Sequence, residues 1–185
     1  MNKLSQRISF FKAMIADFRV GSIASSSQYV INQVISMVKN NLHSIIEQGS
    51  GDGALTKVLI SKLSPNGSLV LIESNPEFIK ELQKIKDKRI TIFAGTVEDF
   101  YNTTGINHPK VDLIVSSIPF SFVKKDEREN MIKKDYEILK ETGSIIIFHQ
   151  YSFLMSKYIK KYFKNTSVFF EFRNIPPCFG IIGYK

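Results

Sequence analysis

Three glycines at alternate positions, Gly49, Gly51 and Gly53, lie between two carboxylates: Glu47, two residues before the first, and Glu73, twenty residues after the last. Glycines at this density let the backbone approach a ligand with no Cβ in the way. The helix expected to follow them, Ala54 to Leu63, would open on unpaired N–H groups. Nucleotide-containing cofactors bind at such turns. Glu73 ends a second apolar run, Ser68 to Ile72, where a carboxylate can accept hydrogen bonds from both hydroxyls of a ribose.

A pyrophosphate cofactor usually selects G-x-G-x-x-G, whose third glycine allows close packing of helix on strand. Here the spacing is G-x-G-x-G, and an acid, Glu47, stands at the strand end. A carboxylate there suits a cofactor that carries an amine and a positive charge better than one that carries phosphates. S-adenosylmethionine has both and no phosphate.

The elements that must position these residues can be taken in order. Leu4, Ile8, Phe11, Ile15 and Phe18 recur at alternating steps of four and three, which predicts an amphipathic helix over 3–19 with Lys3, Arg7, Lys12 and Arg19 on its polar side. Such a helix either packs on the domain or lies in an anionic membrane interface. Residues 20–27 break it and lead to a helix from about Gln28 to Lys39. Residues 44–48 form the first strand, Pro65-Asn66-Gly67 a turn, and 68–73 the second strand. Asn75-Pro76 opens a helix to about Ile85.

Arg89 to Ala94 reads as a third strand, with 95–100 the loop at its end and 101–110 a polar connection. The ligand crevice of an open parallel sheet lies outside the carboxyl ends of its strands, so this loop faces the same crevice as Gly49 and Glu73. Val111 to Val115 is a fourth strand that ends in Ser116-Ser117-Ile118-Pro119-Phe120, where proline biases Ile118 to an extended conformation. A charged helix from Lys124 to Lys140, a strand Ser144–Phe148 that brings His149 and Tyr151 to the crevice, and a lysine-bearing helix Ser152–Phe163 follow. Strands 167–172 and 179–184 close the chain as an antiparallel pair.

At 185 residues this is one domain with a full core. The net charge of +8 and the isoelectric point near 9.5 indicate an anionic partner, nucleic acid or acidic lipid. The single cysteine, Cys178, forms no intramolecular disulfide, and with three histidines there is no zinc-type spacing, so no metal is expected. No apolar run reaches the length of a membrane span, and charges at Lys3, Arg7, Lys12 and Asp17 interrupt any signal-peptide core. The expected location is the cytoplasm, peripheral on the inner face of the cytoplasmic membrane through residues 3–19.

Taken together, E-x-G-x-G-x-G, the ribose acid, the proline-bearing motif after the fourth strand and the closing hairpin resemble a class I S-adenosylmethionine-dependent methyltransferase over residues 20–185. More narrowly, V-G-S-I-A-S-S-S at 20–27, L-I-E-S-N-P-E-F at 71–78, S-S-I-P-F at 116–120 and N-I-P-P at 174–177 resemble the bacterial phospholipid N-methyltransferases, relatives of the ribosomal RNA adenine dimethyltransferases. The resemblance implies an α/β, Rossmann-like fold with a seven-stranded, mostly parallel sheet whose last strand is antiparallel. It implies methylation of a membrane lipid amine such as that of phosphatidylethanolamine.

Carried onto matching positions, Glu47, Gly49, Ser50 and Gly51 would hold the methionine end of the cofactor, with Gly53, Ser22 and Ile23 beside it. Glu73 and Ser74 would serve the ribose, and Thr96 and Val97 the adenine. Ser116 with Ile118, Pro119 and Phe120 would line the methyl-transfer site. The family usually has proline where Ser25 stands and aspartate where Thr96 stands. A primary ammonium has no lone pair, so the enzyme must favour the neutral amine by desolvation or remove its proton. Tyr151 and His149 are the candidate acceptors, and the backbone around Ser117 is the candidate orienting group.

Two other readings remain. An RNA adenine N6-methyltransferase would use the basic surface for phosphates and Phe120 to stack a flipped base. Such enzymes generally carry a further helical domain, and this sequence ends at Lys185, so nucleic acid is the less expected partner. A catalytically inactive, cofactor-binding membrane-associated protein would not need the whole glycine and acid set.

Overall fold

The computed structural model describes residues 27–104, 109–149, 152–174 and 177–185. The helix expected over 3–19, its proposed contact with a membrane, and Ser22, Ile23 and Tyr151 lie outside the described residues.

Seven strands form one sheet in the order β3-β2-β1-β4-β5-β7-β6. They are β1 (Leu42–Gln48), β2 (Leu63–Glu73), β3 (Ile90–Ala94), β4 (Val111–Ser116), β5 (Leu139–His149), β6 (Asn165–Glu171) and β7 (Cys178–Tyr184). β7 alone runs against its neighbours, pairing antiparallel with both β5 and β6. The predicted parallel sheet with an antiparallel last strand is therefore the observed one.

Helices cover both faces, which is why the central strands are apolar almost without interruption. On one face α1 (Gln28–Ser36), α2 (Ala54–Leu59) and α3 (Pro76–Leu82) bury Val30, Val34, Leu59 and Leu82 against Ile45, Leu69, Leu113 and Ile146. On the other, α4 (Val97–Thr104), α5 (Lys125–Ile138) and α6 (Ser156–Tyr162) bury Phe100, Ile132 and Ile159 against Ile46, Ile114, Ile145 and Ile181. Successive residues of a strand diverge to opposite cores, so Glu47 and Gln48 end β1 on different faces.

Three expected boundaries were wrong for physical reasons. Pro65-Asn66-Gly67 does not end a helix–strand connection but lies within β2, where Leu42 pairs with Leu63 and Ser44 already with Ser68, so the intervening residues bulge. A Cβ on Gly67 would stand 2.8 Å from the Leu42 carbonyl oxygen, and that close approach is what glycine permits. Likewise α5 stops at Ile138 and β5 begins at Leu139, bulging before Ser144. Asp112 secures both bulges: one oxygen accepts the N–H groups of His43 and Ser44 at 2.8 and 2.9 Å, and the other accepts Lys140 Nζ at 2.6 Å. Its desolvation is outweighed by these bonds, which hold the carboxyl below its ordinary range.

The third error is at 95–104, read as loop and connection, where α4 begins at Val97. Thr96 caps it reciprocally with Asp99, its hydroxyl accepting Asp99 N–H at 3.1 Å while Asp99 Oδ2 accepts Thr96 N–H at 3.2 Å. The string T-V-E-D carried this capping-box signal.

β6 and β7 lie close because Gly180 faces Phe169: an added Cβ would come within 2.1 Å of that ring. Gly180→Ala should therefore cost about 1–3 kcal/mol by overpacking, read as a lower urea midpoint. Phe169→Leu in the same chain should recover part of it. An unchanged midpoint for Gly180→Ala would contradict this account of the hairpin.

Candidate active site

The parallel register places Gln48 opposite Ile72 and Ser116, so β1, β2 and β4 end level with one another. From that edge the chain turns through three glycines with positive φ, at 75° for Gly49, 54° for Gly51 and 80° for Gly53. The Ile72 carbonyl accepts N–H groups from Gly49 at 2.8 Å and Ser50 at 3.3 Å, which folds the turn over the end of β2. Ser117 ties the same turn to β4: its N–H meets the Gln48 carbonyl at 3.0 Å and its hydroxyl donates to the Gly49 carbonyl at 2.7 Å.

The three glycines do different work. An added Cβ on Gly49 would meet Ile118 and Ser117 at 3.4 Å, and one on Gly53 would meet Leu82 and Ile85 of the neighbouring helix and its tail at 3.0 Å. No atom lies within 4 Å of a Cβ built on Gly51. Gly51 is thus the point where bare backbone faces open space, whereas Gly53 serves helix packing.

Glu73 sits across that space and is nearly buried. One carboxylate oxygen accepts Gly51 N–H at 2.8 Å, and the other accepts the N–H groups of Ser74 and Asn75 at 2.8 Å each. With two lone pairs on each oxygen, Oε1 is filled and Oε2 keeps room for one hydroxyl donor. The Glu73 carbonyl accepts Gly95 N–H at 2.9 Å, which draws the loop after β3 to the same edge.

Glu47 lies on the other side of the turn, buried under α2, with Thr56 donating its hydroxyl to Oε2 at 2.6 Å. Burial pushes its carboxyl up to about 8, against the lowering effect of the Thr56 bond and with further upward pressure from Glu73 and Asp52. A neutral acid at neutral pH is therefore built into the site.

Several expected roles need correction. Phe120 is 1% exposed and part of the core, so its ring offers no stacking surface for a base or a lipid. Ser116 is also fully buried, with no partner for its hydroxyl among the described residues, and lies beneath the crevice floor. The Val97 side chain belongs to the core, and the Thr96 hydroxyl is occupied in capping α4. Ile118 and Pro119 remain partly exposed after β4, and His149 ends β5, with Ser152 Oγ accepting its backbone N–H at 2.9 Å.

Sequence reasoning missed a buried polar group beneath this floor. Gln48 donates to Asp135 Oδ1 at 2.7 Å, Tyr101 donates to the same oxygen, and Asp135 Oδ2 and Gln48 Oε1 have no partner among the described residues. Burial raises Asp135 to about 7 despite the bonds from Tyr101 and Gln48. The signal was present: Asp135 interrupts the buried stripe Met131, Ile132, Ile138, and Gln48 a buried strand end. Among the described residues no group of three His, Cys, Asp or Glu gathers as a metal site, and no described helix is long and apolar enough to cross a membrane.

A seven-stranded sheet of this order, with an open glycine turn and acids at the ends of β1 and β2, defines an S-adenosylmethionine-dependent methyltransferase of class I. Residues 45–143, just over half of the chain, match the family described as "Methyltransferase domain", and the chain belongs to it. It is 24% identical over 175 residues to an ornithine lipid N-methyltransferase of Singulisphaera acidiphila, covering 91% of this chain and 88% of that protein.

Among solved structures, a precorrin-6y C5,15-methyltransferase from Geobacter metallireducens superposes with a TM-score of 0.67 at 17% identity, covering 86% of this chain and 89% of that one. An S-adenosylmethionine-dependent O-methyltransferase from Thermotoga maritima gives 0.65 at 19%, covering 91% and 70%. These two carry the fold.

The raised carboxyl of Glu47 has a definite sign. A folded-state value above the unfolded one contributes stability that is complete below about 4.5 and is lost as pH rises through about 8. Glu47→Gln keeps an acceptor for Thr56 and removes that loss. The variant should be the more stable protein at pH 8.5, by on the order of a few kcal/mol, and gain nothing at pH 4.5. Equal changes in melting temperature at both values would contradict the buried neutral acid.

Proposed function

We propose that this methyltransferase transfers the methyl group of S-adenosylmethionine to the amine of a membrane lipid, with phosphatidylethanolamine and amino-acyl lipids as the candidate acceptors. The observation that carries the reading is the likeness to the ornithine lipid N-methyltransferase, which runs through nearly the whole of both chains.

The residues present fit the cofactor. The space over Gly51 admits a ligand against the backbone, Glu47 can face a cationic amino group, and Glu73 has acceptor capacity for a ribose. Glu47, Gly49, Ser50 and Gly51 would hold the methionine end, Glu73 and Ser74 the ribose, and the backbone of Thr96 and Val97 the adenine edge. When bound, S-adenosylmethionine supplies an electrophilic methyl group on a sulfonium.

The remaining chemistry belongs to the chain. Ile118 and Pro119, held by the Ser117 clamp onto Gly49 and Gln48, form the wall next to the methyl-transfer point. Their backbone carbonyls orient the acceptor nitrogen, which must arrive as the neutral amine with its lone pair in line. His149 at the end of β5, or Tyr151 beyond it, takes the proton. With the ring of Phe120 buried, the base-stacking group of the RNA reading is absent from the crevice, which favours the lipid amine.

Two measurements test this. Glu73→Gln, which exchanges an acceptor oxygen for an amide donor, should raise the cofactor dissociation constant by about tenfold or more. An unchanged constant by calorimetry would remove Glu73 from the cofactor site. Labelled S-adenosylmethionine, offered with a lipid extract and separately with total RNA, should label the lipid fraction. Label confined to RNA would overturn the lipid assignment.

A further inference from the structure

Beyond the crevice, the outer end of the sheet carries an apolar surface that the core does not use. β6 is an edge strand, and since its Phe169 enters the core under α1, the alternate residues Val168 and Phe170, each 58% exposed, lie on the side of α6. Beyond the strand Phe172 is 71% exposed and lies beside the Arg173 guanidinium, which also covers Tyr29 of α1. Phe153, in the short turn Ser152–Met155, is 52% exposed. Ser152 anchors that turn by donating its hydroxyl to the Phe179 carbonyl on β7. Phe179 in turn stands opposite Phe170 on one side and His149 on the other. Phe170, Phe179 and His149 thus form one cross-strand row at the carboxyl end of the sheet, running from its free edge to the crevice.

The surroundings are cationic. Between residues 152 and 185 there are six Lys or Arg and a single acid, Glu171. Glu171 is buried on the opposite side of β6 and is bidentate with Arg173 at 2.8 and 2.7 Å, a pairing that lowers its carboxyl to about 2. It offers the surface no free negative charge. Lys157 and Lys160 are exposed one turn apart on α6, and Lys164 follows its end; none of the three pairs with a carboxylate among the described residues. Lys157 is also within electrostatic reach of Glu129 on α5, which leaves Lys160 and Lys164 as the cations without an acidic partner among the described residues. Exposed phenylalanines at a sheet edge next to a lysine-bearing helix match an anionic bilayer, whose interface accepts aromatic rings while its head groups attract lysine.

We propose that the outer face of β6, with the Ser152–Met155 turn and the lysines of α6, docks on an anionic lipid bilayer and sets the His149 end of the crevice against it. This deepens the lipid-methylation reading and rests on it only for its purpose, since the docking can be measured alone.

The test is co-sedimentation of the full chain with phosphatidylcholine vesicles, with and without phosphatidylglycerol. Wild type should bind more strongly when phosphatidylglycerol is present. Phe170→Ser with Phe172→Ser should lower the partition coefficient by about tenfold or more, and Lys157→Glu with Lys160→Glu should abolish the preference for the anionic lipid. These positions are exposed, so melting temperature and cofactor affinity should stay as in wild type. Methyl transfer to lipid in detergent micelles should persist in the phenylalanine variant while transfer to vesicle lipid falls.

Unchanged vesicle binding by the phenylalanine variant overturns the proposal. So does a wild-type dimer that the same substitutions dissociate in the absence of any vesicle binding. Vesicle binding by wild type that is lost in the variant, with no lipid methylated in either medium, upholds the docking face and sinks the lipid-substrate reading. Methylation of micellar lipid together with unaltered vesicle binding does the reverse.

Discussion

The structure depends on the level ending of β1, β2 and β4, and on the hydrogen bonds that turn the chain over that edge. Parallel pairing in this register brings Gly49 and Ser50 N–H to one carbonyl, that of Ile72, and sets Gly51 N–H against the Glu73 carboxylate. Positive φ at Gly49, Gly51 and Gly53 is the backbone condition for this turn, and it restricts those positions in a way that side-chain packing alone does not. Slipping β2 by one residue would carry Glu73 off the edge and reverse which core each apolar side chain enters. The bulges at the other end of the sheet, pinned by Asp112, help to hold the register.

Burial explains the electrostatics of the site. Two acids, Glu47 and Asp135, lie on opposite faces of the same edge, and both are raised by desolvation that their hydrogen bonds do not offset. Among the described residues no cation lies close enough to either carboxyl to lower it. For Asp135, whose Oδ2 has no partner among the described residues, burial without a compensating donor favours the neutral form. For Glu47, the cofactor site proposed above would bring a cationic amino group to the carboxyl. In this reading the free protein stores an unmet charge preference that ligand binding resolves.

Most of the fold was legible because the chain states it locally. Apolar runs ending in glycine, acid or proline marked the parallel strands, and the two closing strands around Arg173 to Pro177 marked the antiparallel end. The sheet bulges were not legible, since Pro65-Asn66-Gly67 and Thr142-Gly143 carry ordinary turn chemistry and only long-range pairing with β1 and β4 makes them strand. The helix after Thr96 had its capping signal but a weakly apolar sequence. In the site, the ends of the two apolar runs put Glu47 and Glu73 at the ends of β1 and β2, where the structure has them, but side-chain direction after β4 was invisible. Phe120 turned inward because the short helical turn Phe120–Phe122 rotates it into the core, which no periodicity announces.

The central claim is that a buried, neutral Glu47 ionises when the cofactor's amino group enters the crevice. Calorimetric titration with S-adenosylmethionine at pH 6.5, in two buffers of different ionisation enthalpy, measures this directly. The account predicts release of about one proton per cofactor bound, since Glu47 starts near 8 and ends paired, and no such release from Glu47→Gln. Binding with no buffer dependence in the wild-type protein would contradict it.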